Sequence, residues 1–506
     1  MNIVNAIRSS AFRHPVKVAI RHGDVELSYE EFVDRAARFA SFLKDQGVQP
    51  GQRVGILMHN QLEWLIAMVG IWQAGACLVP YNYLFHPSAL RHATEDADVQ
   101  LIVAPRDDIP RLTEALRGLP VTNQLVSIGE HPDAKTNWDS VMQTSPLSTV
   151  TPRFDDDDAV LMYTSGSTGT PKGVRQTHRN NSALCDAQNR WWSIDENDHG
   201  LICTPLFHVG GLQLMALPLL IAGGTITLTR WAVRSWLDDA RRLEPTVVAL
   251  VPAMMIDIIN ELQSEQFPLP SIRVCAVGGS ALPLSRLQQL TKLTGIVPVN
   301  IYGQTEQMGV AITEPIDELR REGSLGKPLD QIVETRIVST DPFYFGKDVA
   351  EGAAGELWVR GDAVTPGYWQ LEDVNREKFI DGWFRTSDLV RSDEDGYFYY
   401  VDRADDMIIS GGENVYPQMV EGYLAACPLI AEVAVIGTTH ERLSQQVTAI
   451  VVPTRPDVTA ENIADFCESD PNLRGLQRPR RIEIVEYIPR TATNKVDRPN
   501  LKQQFH

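Results

Sequence analysis

Residues Tyr163 to Gly173 read YTSGSTGTPKG, a run in which hydroxyls, glycines and one lysine crowd into a single loop after an apolar strand. Gly166 and Gly169 let successive backbone N–H groups point at one anion without interference from a Cβ. Thr164, Ser165, Ser167 and Thr168 add hydroxyl donors, and Lys172 adds a fixed positive charge. Such a set can cradle a phosphate. It is not the Walker A arrangement G-x-x-x-x-G-K-[ST]: counted from Gly166, the place of the second glycine is taken by Pro171, and Lys172 is followed by Gly173. A flexible Ser/Gly linker would lack both the preceding apolar stretch, Ala159 to Thr164, and the Pro-Lys-Gly ending.

The elements that must hold this loop are legible as short apolar runs between about residue 50 and residue 305. Arg53 to Met58, Leu101 to Pro105, Ala159 to Thr164, Thr225 to Thr229, Thr246 to Pro252, Ile272 to Gly279 and Pro298 to Gly303 predict strands. Most are separated by segments of helical length, and Leu62, Leu65, Ile66, Val69 and Trp72 fall on one helical face. This is an α/β pattern with parallel sheets covered on both faces. Ligands of such sheets gather at the carboxyl ends of the strands. The loop after Tyr163, Gly278-Gly279-Ser280-Ala281, and Tyr302-Gly303-Gln304-Thr305-Glu306 all lie there. From about 325 to 400 the texture becomes β-rich, and after Arg403 it changes again. DRADDMIISGGENVYP (Asp402 to Pro417) is expected to join a small α+β domain to the rest, giving domains over 1–404 and 405–506.

Composition narrows the ligands. The chain has 506 residues, of which 43% are apolar and 22% charged, and a formal net charge of −19. That charge disfavours nucleic acid and anionic membrane surfaces as partners, so an anionic ligand must be met by local cations. The six cysteines are scattered with no C-x-x-C pair, which disfavours a zinc site or a disulfide framework. No export signal or membrane-inserting segment is expected, and a cytoplasmic location follows. Asp155 to Asp158 reads as a solvated turn rather than a metal site.

Taken in order, YTSGSTGTPKG, LFHVGG, NIYGQTEQ, GWFRTSD, DRADDMIISGGENVYP and PRTATNK resemble the motifs of the adenylate-forming enzymes, over essentially the whole chain. That superfamily includes acyl-CoA synthetases, peptide-synthetase adenylation domains and luciferases. Within it the chain looks most like the bacterial aryl-CoA ligases. The fold implied is a large N-terminal α/β domain with a β-rich subdomain, followed by a small mobile C-terminal α+β domain. The implied reaction joins a carboxylic acid to AMP from ATP and then passes the acyl group to a thiol. ATP, Mg²⁺ and CoA are the expected cofactors and co-substrates.

The resemblance also assigns roles. Lys495 would bridge the carboxylate and the α-phosphate. Asn494 replaces a frequent glycine before it, a change that the tolerance of asparagine for positive φ accommodates. Glu306 would hold Mg²⁺ together with Thr164, and Thr305 would bond the α-phosphate. Tyr302 would stack on adenine beside Gly279, Ser280, Ala281 and Gly303, with Asn300 at the base edge. Asp388 would accept the ribose hydroxyls, with Arg403 nearby. His208 would gate an acyl pocket lined by Val209, Gly210, Ser280, Ile301, Met308 and Gly309. Without that context, a lone histidine in an apolar run is more often a packed core residue. Asp405 would be the hinge, and Ser410, Gly411 and Gly412 would line the pantetheine tunnel. No cation is placed for a second carboxylate and no aspartate for an amine, so a monocarboxylic acid, aromatic or medium-sized and hydrophobic, is expected. Two alternatives stay open: an adenylation enzyme that loads a separate carrier protein, and a non-catalytic adenylate-binding regulator. A homodimer is also compatible with this reading.

Overall fold

The computed structural model describes residues 3–164, 171–279, 284–318, 321–329, 331–404, 406–410, 413–470, 472–490 and 496–505. Ser165, Gly166, Ser167, Thr168, Gly169, Ser280, Ala281, Asp405, Gly411, Gly412 and Lys495 lie outside them. The chain folds as two compact units, Met1–Glu334 with Val359–Phe384, and Thr335–Trp358 with Arg385–His506.

The first unit is built on two largely parallel sheets. In one, the strands run in the order Thr136–Asn137, Leu125–Ile128, Val99–Pro105, Arg53–Ile56, Cys77–Pro80 and Asp158–Thr164, closed by Lys172–Thr177. Only the last pairing is antiparallel, so the chain leaves at Thr164 and returns directly opposite at Lys172. In the other, Pro298–Tyr302, Val274–Val277, Val247–Leu250, His199–Ile202, Thr225–Leu228 and Val18–His22 are parallel neighbours. The hairpin partner Val25–Ser28 edges this sheet on one side and the antiparallel strands Ile312–Thr313 and Ser324–Pro328 on the other. The apolar runs read from the sequence between 53 and 302 are all strands. Leu62–Gln73 is a helix but is not amphipathic: 11 of its residues are buried, because it is covered on every side. Trp72 within it donates its indole N–H to the carbonyl of Ala159 at 2.7 Å, tying the helix to the strand that leads into the phosphate loop.

The acidic run at 155–158 is a turn whose side chains meet arginines. Asp156 pairs with Arg179, Asp157 with Arg153 and Asp158 with Arg175. Beneath it lies His178, 1% exposed, the first residue of the helix His178–Trp191.

Glu334–Val338, Gly355–Arg360, Trp383–Ser392 and Phe398–Arg403, whose residues fall mostly in the second unit, follow one another across a sheet. The C-terminal part packs the helices Pro417–Leu424 and Ala460–Ser469 on a sheet whose central strand, Ser444–Pro453, pairs along its length with Ile430–His440. A partly buried ion cluster holds the last helix to this unit. Arg498 meets Glu421 at 2.5 Å and Asp406 at 3.9 Å, while Glu421 also accepts from the Val435 N–H at 2.7 Å. Lys502 reaches Asp406 at 3.5 Å. The helix Arg498–Gln504, which the sequence pattern did not suggest, is anchored by these charges as much as by Leu501. All six cysteines are free and buried.

Burial holds the His178 imidazole neutral, pushing its pKa from 6.5 down to about 4, and Arg153 adds to the effect. Its Nδ1 has no hydrogen-bond partner among the described residues. The unfolded chain therefore binds this proton below about pH 6.5, whereas the folded chain binds it only near pH 4. Stability is fully present above pH 6.5 and is lost as the pH falls through that window, by about 3 kcal/mol for this one group. Urea denaturation at pH 7, 5.5 and 4 should show a smaller acid loss in His178→Gln than in the wild type.

Candidate functional site

The loop from 165 to 170 departs from and returns to fixed points. Tyr163 donates its hydroxyl to Asp96, and the carbonyl of Pro171 meets the His92 ring at 3.1 Å, so both flanks are held by the helix Pro87–Asp96. Burial and the neighbouring Asp96 carboxylate push the Tyr163 phenol well above its ordinary range, which keeps it a neutral donor. Thr164 and Lys172 are paired across the two strands. The Lys172 ammonium lies 5.9 Å from the centroid of the Tyr368 ring and has no carboxylate partner among the described residues. It is a half-buried cation at the foot of a loop rich in donors.

Tyr368 joins this cation to the next element. Its hydroxyl donates to Glu306 Oε1 at 2.7 Å. Glu306 is half-buried, and its other oxygen has no hydrogen bond among the described residues. That free hard oxygen fits a divalent cation. The carbonyl of Glu306 accepts from the Thr365 N–H at 2.8 Å, fixing the backbone beneath the carboxylate. Tyr368 was not singled out in the sequence. The Pro-Gly-Tyr-Trp run at 366–369 was its signal, an aromatic pair set on a turn.

The segment from Gly303 to Gly309 closes on itself. Gln307 and Gly309 both donate backbone N–H groups to the Gln304 carbonyl, at 3.0 and 2.9 Å, and Gln304 and Gln307 cap one another. A Cβ on Gly303 would lie 2.5 Å from the carbonyl carbon of Gly309, so the two ends touch backbone to backbone. Gly309 has φ +93°, and Met308 before it is also left-handed at φ 55° and fully buried. The Cβ of Val209 lies 2.9 Å from the position a Cβ on Gly309 would take. Val209, Met308 and Gly309, three of the predicted pocket residues, therefore come together. Gly210 and Ile301 are partly exposed.

His208 is exposed, on a loop held from beneath by Asn60, which donates to the Thr204 carbonyl at 2.9 Å and accepts from the Leu206 N–H at 2.9 Å. The His208 Nδ1 accepts from the Gly210 N–H at 3.2 Å, which in the neutral ring leaves the proton on Nε2. Tyr302 is buried at the end of its strand. Asn300 is committed more fully than expected. Its side-chain amide donates to the Ser324 carbonyl at 2.9 Å, and its backbone N–H donates to Glu314 at 2.9 Å. Its side-chain carbonyl and second amide N–H are left without a partner among the described residues.

In the second unit, Asp388 is 3% exposed and faces Arg403 across the strand pair, Oδ1 to Nη1 at 3.2 Å. Ser387, immediately before it, has φ 60°, a strained value for a serine and one that turns the chain sharply at the carboxylate. Ser410 is buried, and its hydroxyl has no partner among the described residues.

Comparison with known proteins identifies the family. The AMP-binding enzyme family model matches residues 7–369, and the AMP-binding enzyme C-terminal domain model matches residues 419–495. The chain belongs to the AMP-binding enzyme family. Feruloyl-CoA synthase from Amycolatopsis sp is 32% identical over 495 residues, covering 97% of this chain and 96% of the relative. A 2-succinylbenzoate–CoA ligase of Bacillus cereus is 31% identical over 504 residues, covering 99% and 98%. Among solved structures, o-succinylbenzoate CoA synthetase (MenE) from Bacillus subtilis in complex with its acyl-adenylate superposes with a TM-score of 0.86. It has 28% identity and covers 98% of each chain. The same enzyme has been solved with ATP and a magnesium ion.

The closed turn makes a sharp contrast between glycines. Gly303→Ala should lower the stability of its unit by about 1–3 kcal/mol, the range for a forced backbone shift. Gly279 has φ +88° and, among the described residues, nothing within 4 Å of a Cβ. Gly279→Ala should therefore carry only the left-handed penalty of about 1–2 kcal/mol. Denaturation midpoints of the two variants, with nucleotide affinity alongside, check this: Gly303→Ala should weaken ATP binding along with stability.

Proposed function

We propose that the chain is an ATP-dependent acyl-CoA ligase for an aromatic or medium-sized hydrophobic monocarboxylic acid. The observation that carries this reading is the junction of Lys172, Tyr368 and Glu306 in the first unit. There, one unpaired cation and one carboxylate with a free oxygen are linked through a single phenol. A triphosphate with its metal needs both: positive charge for the phosphates and a hard oxygen for the ion.

The first half-reaction brings two anions together. A carboxylate oxygen attacks the α-phosphorus of ATP, the bond to the bridging oxygen breaks, and pyrophosphate leaves with its electrons. Neutralising charge at the phosphate is the main task of the protein. In this reading, the donors of 164–169 and Lys172 hold the β- and γ-phosphates. The Thr305 hydroxyl bonds the α-phosphate, and Lys495 spans the carboxylate and phosphate oxygens. Glu306, with Thr164, would hold Mg²⁺, whose charge screens the triphosphate when bound. Tyr302 stacks on adenine, and Asp388, oriented by Arg403, accepts the ribose hydroxyls.

In the second half-reaction the CoA sulfur attacks the acyl carbon, the mixed anhydride bond breaks, and AMP leaves. Lys495 occupies the approach during the first step, so we assign Asp405 as the hinge that withdraws it. Ser410, Gly411 and Gly412 then line the thiol channel, where absent side chains allow close approach. Val209, Gly210, Ile301, Met308 and Gly309 carry no charge, which suits an apolar acyl group with His208 at its mouth.

Pyrophosphate release with a panel of ferulate, benzoate, cinnamate, 2-succinylbenzoate and medium-chain fatty acids should select an aromatic monocarboxylate. AMP release with that acid should then depend on CoA. Turnover that ignores CoA and rises with a holo-carrier protein would assign the acceptor differently. Lys495→Ala should abolish pyrophosphate exchange yet leave thioester formation from supplied acyl-adenylate largely intact. Equal loss of both steps would refute the division of labour.

A further inference from the structure

Beneath the first unit's site runs a chain of buried side-chain amides that none of the roles above uses. Gln176, on the strand Lys172–Thr177, is 0% exposed and donates its Nε2 to the carbonyl of Thr305 at 3.3 Å. Its Oε1 accepts from Gln213 Nε2 at 2.6 Å. Gln213, also 0% exposed, shares that nitrogen with Asn181 Oδ1 at 3.2 Å, and Asn181 in turn donates to the Thr177 carbonyl at 2.8 Å. An unbroken line of three hydrogen bonds thus leads from the helix His178–Trp191 to the backbone of the turn that bears Thr305 and Glu306. The amide of Gln213 is its midpoint.

Gln213 sits in an unusual stretch. Leu212–Ala216 is a π-helical turn: Leu214 N–H reaches back to the Val209 carbonyl at 2.9 Å, and Ala216 N–H to that of Gly211 at 3.0 Å, each five residues behind. The carbonyl of His208 accepts from both Gly211 and Leu212 at 3.0 Å, so the turn begins at the residue that ends the exposed loop. A π-turn can revert to α geometry by passing each N–H to the next carbonyl, which makes it a two-arrangement element rather than an elastic one. Packed apolar side chains alone would have sufficed to bury this segment. Placing a glutamine there, with its Oε1 left without a partner among the described residues, gives the turn a directional tie to the strand below.

We propose that Gln213 and Gln176 are positioning residues that couple the nucleotide turn to the His208 loop, so that seating ATP orders the mouth of the acid pocket. The inference rests on the nucleotide and acid assignments made above and adds an order of events: the nucleotide shapes the site for the acid. A force on Thr305 is delivered to Gln176 through one hydrogen bond and to the π-turn through a second. Val209, the residue whose carbonyl starts the π register, is also the one packed against Gly309. The loop therefore feels the nucleotide turn from two sides, by a polar tie at Gln213 and by an apolar contact at Val209.

Amide hydrogen exchange followed by mass spectrometry tests this with ATP and MgCl₂ alone, without knowledge of the acid. In the wild type, saturating ATP should slow exchange across residues 206–216 by about tenfold. Gln213→Met keeps the volume and removes the tie; it should bind ATP with an unchanged Kd by calorimetry and lose that protection. Gln176→Met, compared at saturating ATP, should give the same loss and serves where Gln213→Met does not fold. Equal protection in the wild type and in the variants would reduce the amides to structural packing and overturn the proposal. ATP binding without protection in the wild type would overturn it too, while leaving the nucleotide site standing. No ATP binding at all would remove the nucleotide reading and the coupling together.

Discussion

The contact on which the first unit's site depends is the meeting of two backbones, Gly303 against Gly309. With no side chain at either end, the intervening five residues close into a tight turn in which the N–H groups of Gln307, Met308 and Gly309 return to the carbonyls of Gln304 and Thr305. That closure places Thr305 and Glu306 on one short rigid arc and turns Met308 inward with a left-handed φ. It also leaves Gly309 pressed on Val209, so the turn proposed for the nucleotide and two residues proposed for the acyl pocket form one packed object. Local rigidity of this kind is what a charge-neutralising site requires, because donors that must reorganise during the reaction lose most of their value.

Around that arc the chain distributes its cations sparingly. A net charge of −19 means that the protein as a whole repels anions, and the first unit's arginines near the loop are taken by aspartates 156–158. Lys172 is not. It is left against the face of Tyr368, whose hydroxyl is turned to Glu306, so the local positive potential is concentrated where the glycine-rich loop begins and ends. The same economy governs the second unit, where Arg498 is spent on Glu421 and Asp406 to hold the final helix.

Much of this could be read from the residues. Strands such as Asp158–Thr164 and Val274–Val277 are continuous apolar runs, and their buried setting follows from the parallel pattern. The hydroxyl and glycine run, Glu306, Asp388 and Lys495 are expected from residue types and their order along the chain, and of these the structure describes Thr164, Glu306 and Asp388. What could not be read were ties between side chains distant in sequence. Tyr368 reaches Glu306 across 62 positions and Gln176 reaches the Thr305 carbonyl across 129, and neither leaves a periodic trace. The helix Arg498–Gln504 escaped for a related reason: its strongest anchors are charges on remote elements, whereas sequence patterns report apolar faces. Asn300 shows a tie that the sequence did not suggest: the amide expected at a base edge is partly engaged by the Ser324 carbonyl.

The six buried cysteines carry a consequence for product chemistry. A thioester is open to capture by any nearby thiolate, and the proposed product is a thioester made at high local concentration beside its own catalyst. Every thiol of this chain is withdrawn from solvent, and burial raises that of Cys467 to about 11 and that of Cys203 to about 12. Neither has an appreciable thiolate population at neutral pH. Cys203 and Cys467 are therefore poor acceptors for an acyl group formed on this protein.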